Sequence, residues 1–200
     1  GFSAAYAALD PGFGALILFS VVQITMFAGA ILAGETVPTS RWIGAGLALA
    51  GLGWLLWPDG EVVRSVSHIL AMAGAGIGWG IYSLLGRTAG DPLQATAVNF
   101  LWAAIVGAFW IVIMGASGPW TTQGILLAGV SGAVMSGMGD ALWYHLLPSL
   151  GAARAAVAQL SVPVIALTGG ALFVQEPLTL RFILASASVM GGVLVSLRRG

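Results

Sequence analysis

Charges in this chain are almost confined to short breaker groups, and the stretches between them are apolar and about 20 residues long. Most breaker groups join a charge to proline or glycine: Asp10-Pro11-Gly12, Gly34-Glu35-Thr36-Val37-Pro38, Pro58-Asp59-Gly60-Glu61, and Gly86-Arg87 followed by Asp91-Pro92. Ser117-Gly118-Pro119 and Pro148-Ser149 complete the punctuation. In hydrocarbon no water is present to satisfy backbone N–H and C=O groups, so such stretches must cross as helices, with irregular backbone left to the polar loops. The pattern predicts an all-α, polytopic transmembrane helix bundle. Its seven full spans are expected over residues 12–33, 41–57, 66–85, 93–115, 123–144, 151–174 and 180–197, and residues 1–9 form the stub of another.

Composition excludes the other classes. Only 7% of residues are charged, against about 25% in soluble domains. The chain has no cysteine, which removes disulfide scaffolds, thiolate metal sites and thiol catalysis. All 7 basic residues are arginine and offset 7 acids, with no polybasic run for nucleic acid. Gly129-Val130-Ser131-Gly132 has the G-x-S-G form of intramembrane serine proteases. His145, however, is 14 residues further on, about 21 Å along a helix, and a nucleophile needs its base within hydrogen-bond reach. His68 belongs near the opposite surface. No enzyme, cofactor or metal site is expected.

Orientation follows the arginines, which accumulate on the cytoplasmic side. Arg41, Arg87, Arg154, Arg198 and Arg199 fall on one side of the alternating loops, Arg64 and Arg181 on the other, so the C-terminus is expected in the cytoplasm.

Two stretches resemble each other, GETVPTSRWIGAGLALAGLGWLL from Gly34 and QEPLTLRFILASASVMGGVLVSL from Gln175. Glu35 aligns with Glu176, Arg41 with Arg181, and Gly51 with Gly191. The two glutamates are 141 residues apart, an odd number of spans, so the copies face opposite sides of the membrane. Inverted repeats of this kind mark secondary transporters. Residues 1–59 read as the end of a first repeat and 60–200 as a complete second one. A ten-helix, five-plus-five architecture follows, with about 75 to 80 residues expected ahead of Gly1.

Further residues carry a family resemblance. Leu147-Pro148, the run Ala155-Ala156-Val157-Ala158-Gln159-Leu160-Ser161-Val162-Pro163, Glu176-Pro177 and Gly191-Gly192 follow one another in the second half. Gly14 to Phe19, Gln23 to Met26 and Gly34-Glu35 stand in the first half, and Gly78-Trp79-Gly80 lies in the third span. In this order they resemble the EamA-type permeases of the drug/metabolite transporter superfamily. The resemblance implies a ten-helix carrier of small metabolites or drugs in a bacterial-type plasma (inner) membrane, working as an exporter or importer by alternating access. Its partners would be a small-molecule substrate, the bilayer and protons. The other class open to such a chain is a non-transporting membrane subunit, a helix-packing scaffold. Two departures stand out: Pro163 aligns with Val22 in the first half, and Asp140 stands where the family more usually has an aromatic residue.

Asp140 is the one charge well inside an expected span. A charge at a helix centre costs on the order of 2.5–3.5 kcal/mol on insertion scales, so such residues are functional by default. Helical spacing puts Ser136, Asp140, Trp143 and Tyr144 on one face. Asp140 is read as a substrate and proton-coupling group, or else as a carboxylate reaching the near interface or pairing with Arg154 or His145. Gln23 and Gln159 either bind polar groups of a substrate or bond a neighbouring helix for about 0.6 kcal/mol each. Trp79, Tyr82, Asn99 and Trp143 are the remaining pocket candidates, with Trp79 and Tyr82 close enough in sequence to share a face; membrane aromatics also serve simply as packing. Pro163 is expected to kink its span and act as a hinge. Gly74/Gly78, Gly76/Gly80 and Ala187/Gly191 are small pairs four apart that favour close helix approach. Glu35 and Glu176 suit helix N-termini, with Thr39 and Thr179 as N-caps.

Overall fold

A computed structural model describes residues 11–57, 66–115, 121–173 and 179–197. The expected stub, Glu176 and the two C-terminal arginines lie outside the described residues. The described elements are all helical: α1 (Pro11–Leu32), α2 (Thr39–Leu56), α3 (Val66–Gly86), α4 (Pro92–Met114) and α5 (Thr122–Val130). A π-helical segment, Ser131–Met138, joins α5 to α6 (Gly139–Leu150), and α7 (Ala152–Gln159), α8 (Val162–Phe173) and α9 (Leu180–Leu197) follow. Six stretches are long and apolar enough to cross a membrane: Phe13–Leu32, Val66–Gly86, Pro92–Ile113, Thr122–Leu150, Ala152–Gly169 and Leu180–Leu197. The expected second span is the helix α2, but it is not among the six, because its 18 residues open on Thr39-Ser40-Arg41.

Three local expectations need correction. Pro148 does not end the fifth span: the helix runs on to Leu150 and stops at Gly151, whose φ of 73° is a left-handed conformation that glycine adopts without steric cost. The sixth span is not a helix kinked at Pro163. It breaks at Leu160-Ser161, where tight turns link Leu160 N–H to Val157 and Ser161 N–H to Ala158. Pro163 is the second residue of α8, where its missing N–H has no intrahelical partner to lose. Thr39 lies inside the first turn of α2, and Pro38 is the N-cap, with no side-chain capping bond. Thr179 does cap, accepting from Phe182 N–H at 3.1 Å.

The chain divides into two compact units, Gly1–Leu84 with Leu150–Gly200, and Leu85–Ser149. In the first, α2 and α9 pair antiparallel over small residues. A Cβ on Gly44 would lie 2.5 Å from the carbonyl oxygen of Gly192, and one on Gly51 would lie 2.8 Å from Cβ of Ser188. Ser188 donates its hydroxyl to the carbonyl of Leu47 at 3.1 Å. On α3 it is Gly76 and Gly80 that admit α1, against Val21 and Thr25, whereas a Cβ on Gly74 or Gly78 would touch nothing. The expected Ala187/Gly191 contact is displaced by one residue, to Gly192. Phe19, Ala48, Leu52, Leu160, Val164 and Val189 form the core of this unit, with Trp79 packed on them.

In the second unit α4 is capped by Asp91, whose Oδ1 accepts from Gln94 N–H at 3.0 Å, and α5 by Thr121, which accepts from Gly124 N–H at 3.1 Å. The π-helical segment packs against α4. Most large apolar side chains of α4 and α5 point outward, the arrangement expected of surfaces whose solvent is lipid.

Candidate functional site

The candidate residues fall into two groups, one in each compact unit. In the first unit Gln23, on α1, is only 4% exposed although it belongs to a strongly apolar helix. Both of its amide atoms, Oε1 and Nε2, are buried and have no hydrogen-bond partner among the described residues. Gln159 closes α7 and is buried to the same degree. Its Nε2 donates to Ser83 Oγ at 3.4 Å, while Oε1 is buried without a partner among the described residues. Gln23 stands one turn beyond Phe19 and Gln159 immediately precedes Leu160, both members of one apolar cluster. Trp79 closes it, tilted against Phe19 with ring centroids 5.8 Å apart. Tyr82 is half-buried in the neighbouring turn of α3. Pro163 is buried in the first turn of α8. Ser83, wholly buried, is the member that sequence reasoning missed.

A carboxamide offers one acceptor and two donors. Leaving a buried polar atom unpaired costs about 1–3 kcal/mol, and buried polar groups without partners are rare enough to need an explanation. Among the described residues of this unit, three amide atoms of Gln23 and Gln159 are of this kind.

The second unit brings together Asn99, Asp140, Trp143 and Tyr144. Asn99 Nδ2 donates to Tyr144 Oη at 3.2 Å. Tyr144 is 3% exposed, and its ring fills the space above Gly86, where a Cβ would lie 2.4 Å from Cε1. Asp140 is one turn earlier on α6 and half-buried, in the first turn of that element. Ser136 does not join this face by α-helical spacing, because it lies in the π-helical segment and is exposed. Thr96, one turn before Asn99 on α4, is also buried, and its Oγ1 has no partner among the described residues. Tyr144→Phe should keep the ring over Gly86 and lose the Asn99 bond, costing about 0.5–1.5 kcal/mol. A thermal melt of the purified variant checks this, and Gly86→Ala should be worse because its methyl enters the ring.

One end of the first unit carries charge. Arg41 is in electrostatic contact with Glu35 and with Arg154, and Glu35 Oε2 would be 3.7 Å from a Cβ on Gly151. Glu35 therefore abuts the start of α7 rather than serving only α2. A carboxylate suits that position, because the first N–H groups of a helix carry a positive partial charge.

Comparison with known proteins places these features. The sequence profile of the EamA-like transporter family matches residues 66–198. The chain belongs to the EamA-like transporter family. It is 43% identical over 192 residues to an uncharacterized protein of Pseudomonas aeruginosa, covering 96% of this chain and 67% of that one. It is 24% identical over 159 residues to the uncharacterized transporter YoaV of Bacillus subtilis, covering 74% and 54% respectively. This EamA-like chain thus spans about two thirds of the first relative and about half of the second. A solved crystal structure matches with a TM-score of 0.86 over 98% of this chain and 70% of that one, at 21% identity, which shows the shared fold. The resemblance read from the ordered motifs therefore holds: this is a multi-pass membrane protein of a transporter family.

Proposed function

We propose that this chain is the greater part of a secondary transporter that exports small metabolites or drugs across the plasma membrane by alternating access. The observation that carries the reading is the set of buried amide atoms of Gln23 and Gln159 that have no hydrogen-bond partner among the described residues. A static interior gains nothing from them, whereas a passing ligand supplies their missing hydrogen bonds. Tyr82 in the same unit, and Asn99, Asp140 and Trp143 in the second unit, are proposed as further substrate-binding residues, with Asp140 also carrying the coupling proton.

The inverted-repeat reading, with halves meeting at residues 59 and 60, draws support from the α2–α9 seam. Aligned positions Ala48 and Ser188 lie at its middle, flanked by Gly44 against Gly192 and Gly51 against Ser188. Two antiparallel copies crossing at equivalent residues is what a two-fold relation in the membrane plane produces. The break at Leu160-Ser161, followed by Pro163, supplies a hinge between α7 and α8. The arginine distribution favours a cytoplasmic C-terminus.

The test is flux through the full-length protein in proteoliposomes, together with resistance to toxic amino acids, analogues and small drugs in an expressing bacterial host. Wild type should show saturable, competable flux with a pH dependence. Asp140→Asn should flatten that pH profile and abolish resistance. A helix-packing scaffold predicts tight association and no flux with any solute, and an unchanged pH profile removes Asp140 from coupling.

A further inference from the structure

Gln23 stands near the middle of α1, a helix that carries no charged residue between Pro11 and Leu32. It is almost wholly buried, and neither Oε1 nor Nε2 has a partner among the described residues. A nearby hydroxyl on the same helix behaves differently: Thr25 donates to the carbonyl oxygen of Val21 at 2.8 Å. α1 itself is closely packed. Gly76 and Gly80 of α3 admit Val21 and Thr25, and α7 packs along α1. Phe19, one turn before Gln23 on the same face, meets Trp79 with ring centroids 5.8 Å apart.

What such an amide asks of a ligand is set by its atoms. The oxygen accepts, the nitrogen donates, and both lie in one plane. A ligand that pairs with both must present a donor and an acceptor side by side on a planar edge. A carboxylate only accepts, so it leaves Oε1 unpaired and sets negative charge against it. An ammonium or amidinium only donates and leaves Nε2 unpaired. Either also brings a full charge into the interior, which is costly without a partner of opposite sign. The described charged side chains of this unit, Glu35, Arg41, Arg154 and Arg181, stand in a loop or in the first turn of a helix. Gln159 discriminates less, because its Nε2 already donates to Ser83.

We infer, on the reading that Gln23 meets the transported solute, that this solute is neutral and planar and carries a hydrogen-bond donor beside an acceptor, as a lactam or primary carboxamide does. Its edge pairs reciprocally with the Gln23 carboxamide, so that two hydrogen bonds replace two unpaired buried atoms. Phe19, one turn along the same face, offers the solute ring an aromatic surface to pack on. Charged analogues of the same shape are rejected by the unpaired atom and the uncompensated charge they would leave.

Calorimetric titration of the full-length protein in detergent tests it, with probes built on one pyridine ring: nicotinamide, N,N-dimethylnicotinamide, nicotinate and 3-amidinopyridine. Wild type is expected to bind nicotinamide at least about tenfold more tightly than the other three, the margin of one hydrogen-bonding contact. Gln23→Glu should reverse the order, favouring 3-amidinopyridine about tenfold over nicotinamide, because a carboxylate accepts from two parallel N–H groups. A purely structural amide gives no such reversal. Gln23→Leu removes both polar atoms and should bind nicotinamide and its dimethyl analogue alike, so it decides the matter if Gln23→Glu fails to fold. Binding of none of the probes by wild type, or a preference for nicotinate or 3-amidinopyridine, would overturn the inference. Flux separates it from the transport reading. Saturable flux of a charged solute that Gln23→Leu leaves unchanged would overturn the solute class alone, whereas the nicotinamide preference without flux of any solute would overturn transport alone.

Discussion

Valine at Gly44 or Gly192 is expected to abolish accumulation of folded protein, or to lower its unfolding free energy by about 3 kcal/mol or more, the upper end of the overpacking range. The reason lies in which atoms a new Cβ would meet. At Gly44 it would stand 2.5 Å from the Gly192 carbonyl oxygen and 2.8 Å from the Ser196 nitrogen. At Gly192 it would stand 2.5 Å from the Gly44 carbonyl oxygen and 2.7 Å from the Ala48 nitrogen. These are backbone atoms of two helices, so no change of rotamer relieves the clash, and the helices must separate. Separation sacrifices the close packing that substitutes for hydrophobic drive inside a bilayer. Gly46→Ala and Gly74→Ala provide the comparison, because a Cβ at either position meets nothing within 4 Å. Both should unfold like wild type in a denaturant titration in detergent. If Gly44→Val and Gly192→Val also unfold like wild type, the seam does not hold the unit together.

The contrast between those glycines shows how far sequence reaches. Breaker groups placed the helices well, because the bilayer forces backbone satisfaction within each helix and leaves charge and proline to the loops. Small residues four apart correctly pointed to Gly76 and Gly80 on α3, but the same spacing also suggested Gly74 and Gly78, which touch nothing. Which of two interleaved faces is used depends on the neighbouring helix, and that is a tertiary fact. The π-helical segment was illegible for a related reason. Gly132, Gly137 and Gly139 show that this stretch is permissive, but nothing in their spacing announces the change of winding that removes Ser136 from the Asp140 face. Ser83 was missed because a serine in an apolar helix carries no motif. Its meaning comes from Gln159, 76 residues away. Gln23 and Gln159 were legible, since an amide inside an apolar span must either find a partner or wait for one.

Which of those two holds for Gln23 can be decided by opposing signs. Gln23→Leu replaces the carboxamide with an apolar group of similar volume and removes two buried polar atoms that have no partner among the described residues. The variant is therefore expected to be more stable than wild type by about 1–3 kcal/mol, measured as a higher midpoint of unfolding in detergent. Flux of the transported solute should nonetheless fall at least about tenfold, the loss expected when a single hydrogen-bonding contact worth roughly 1.4 kcal/mol disappears. Gln159→Leu makes a different prediction, because it also breaks the bond to Ser83, so its gain from losing Oε1 should be offset. A merely structural amide would lower stability and flux together. Stability rising while transport falls is the signature of a polar group kept in the interior for a ligand, and loss of stability in Gln23→Leu would show that the amide has its partner inside the protein.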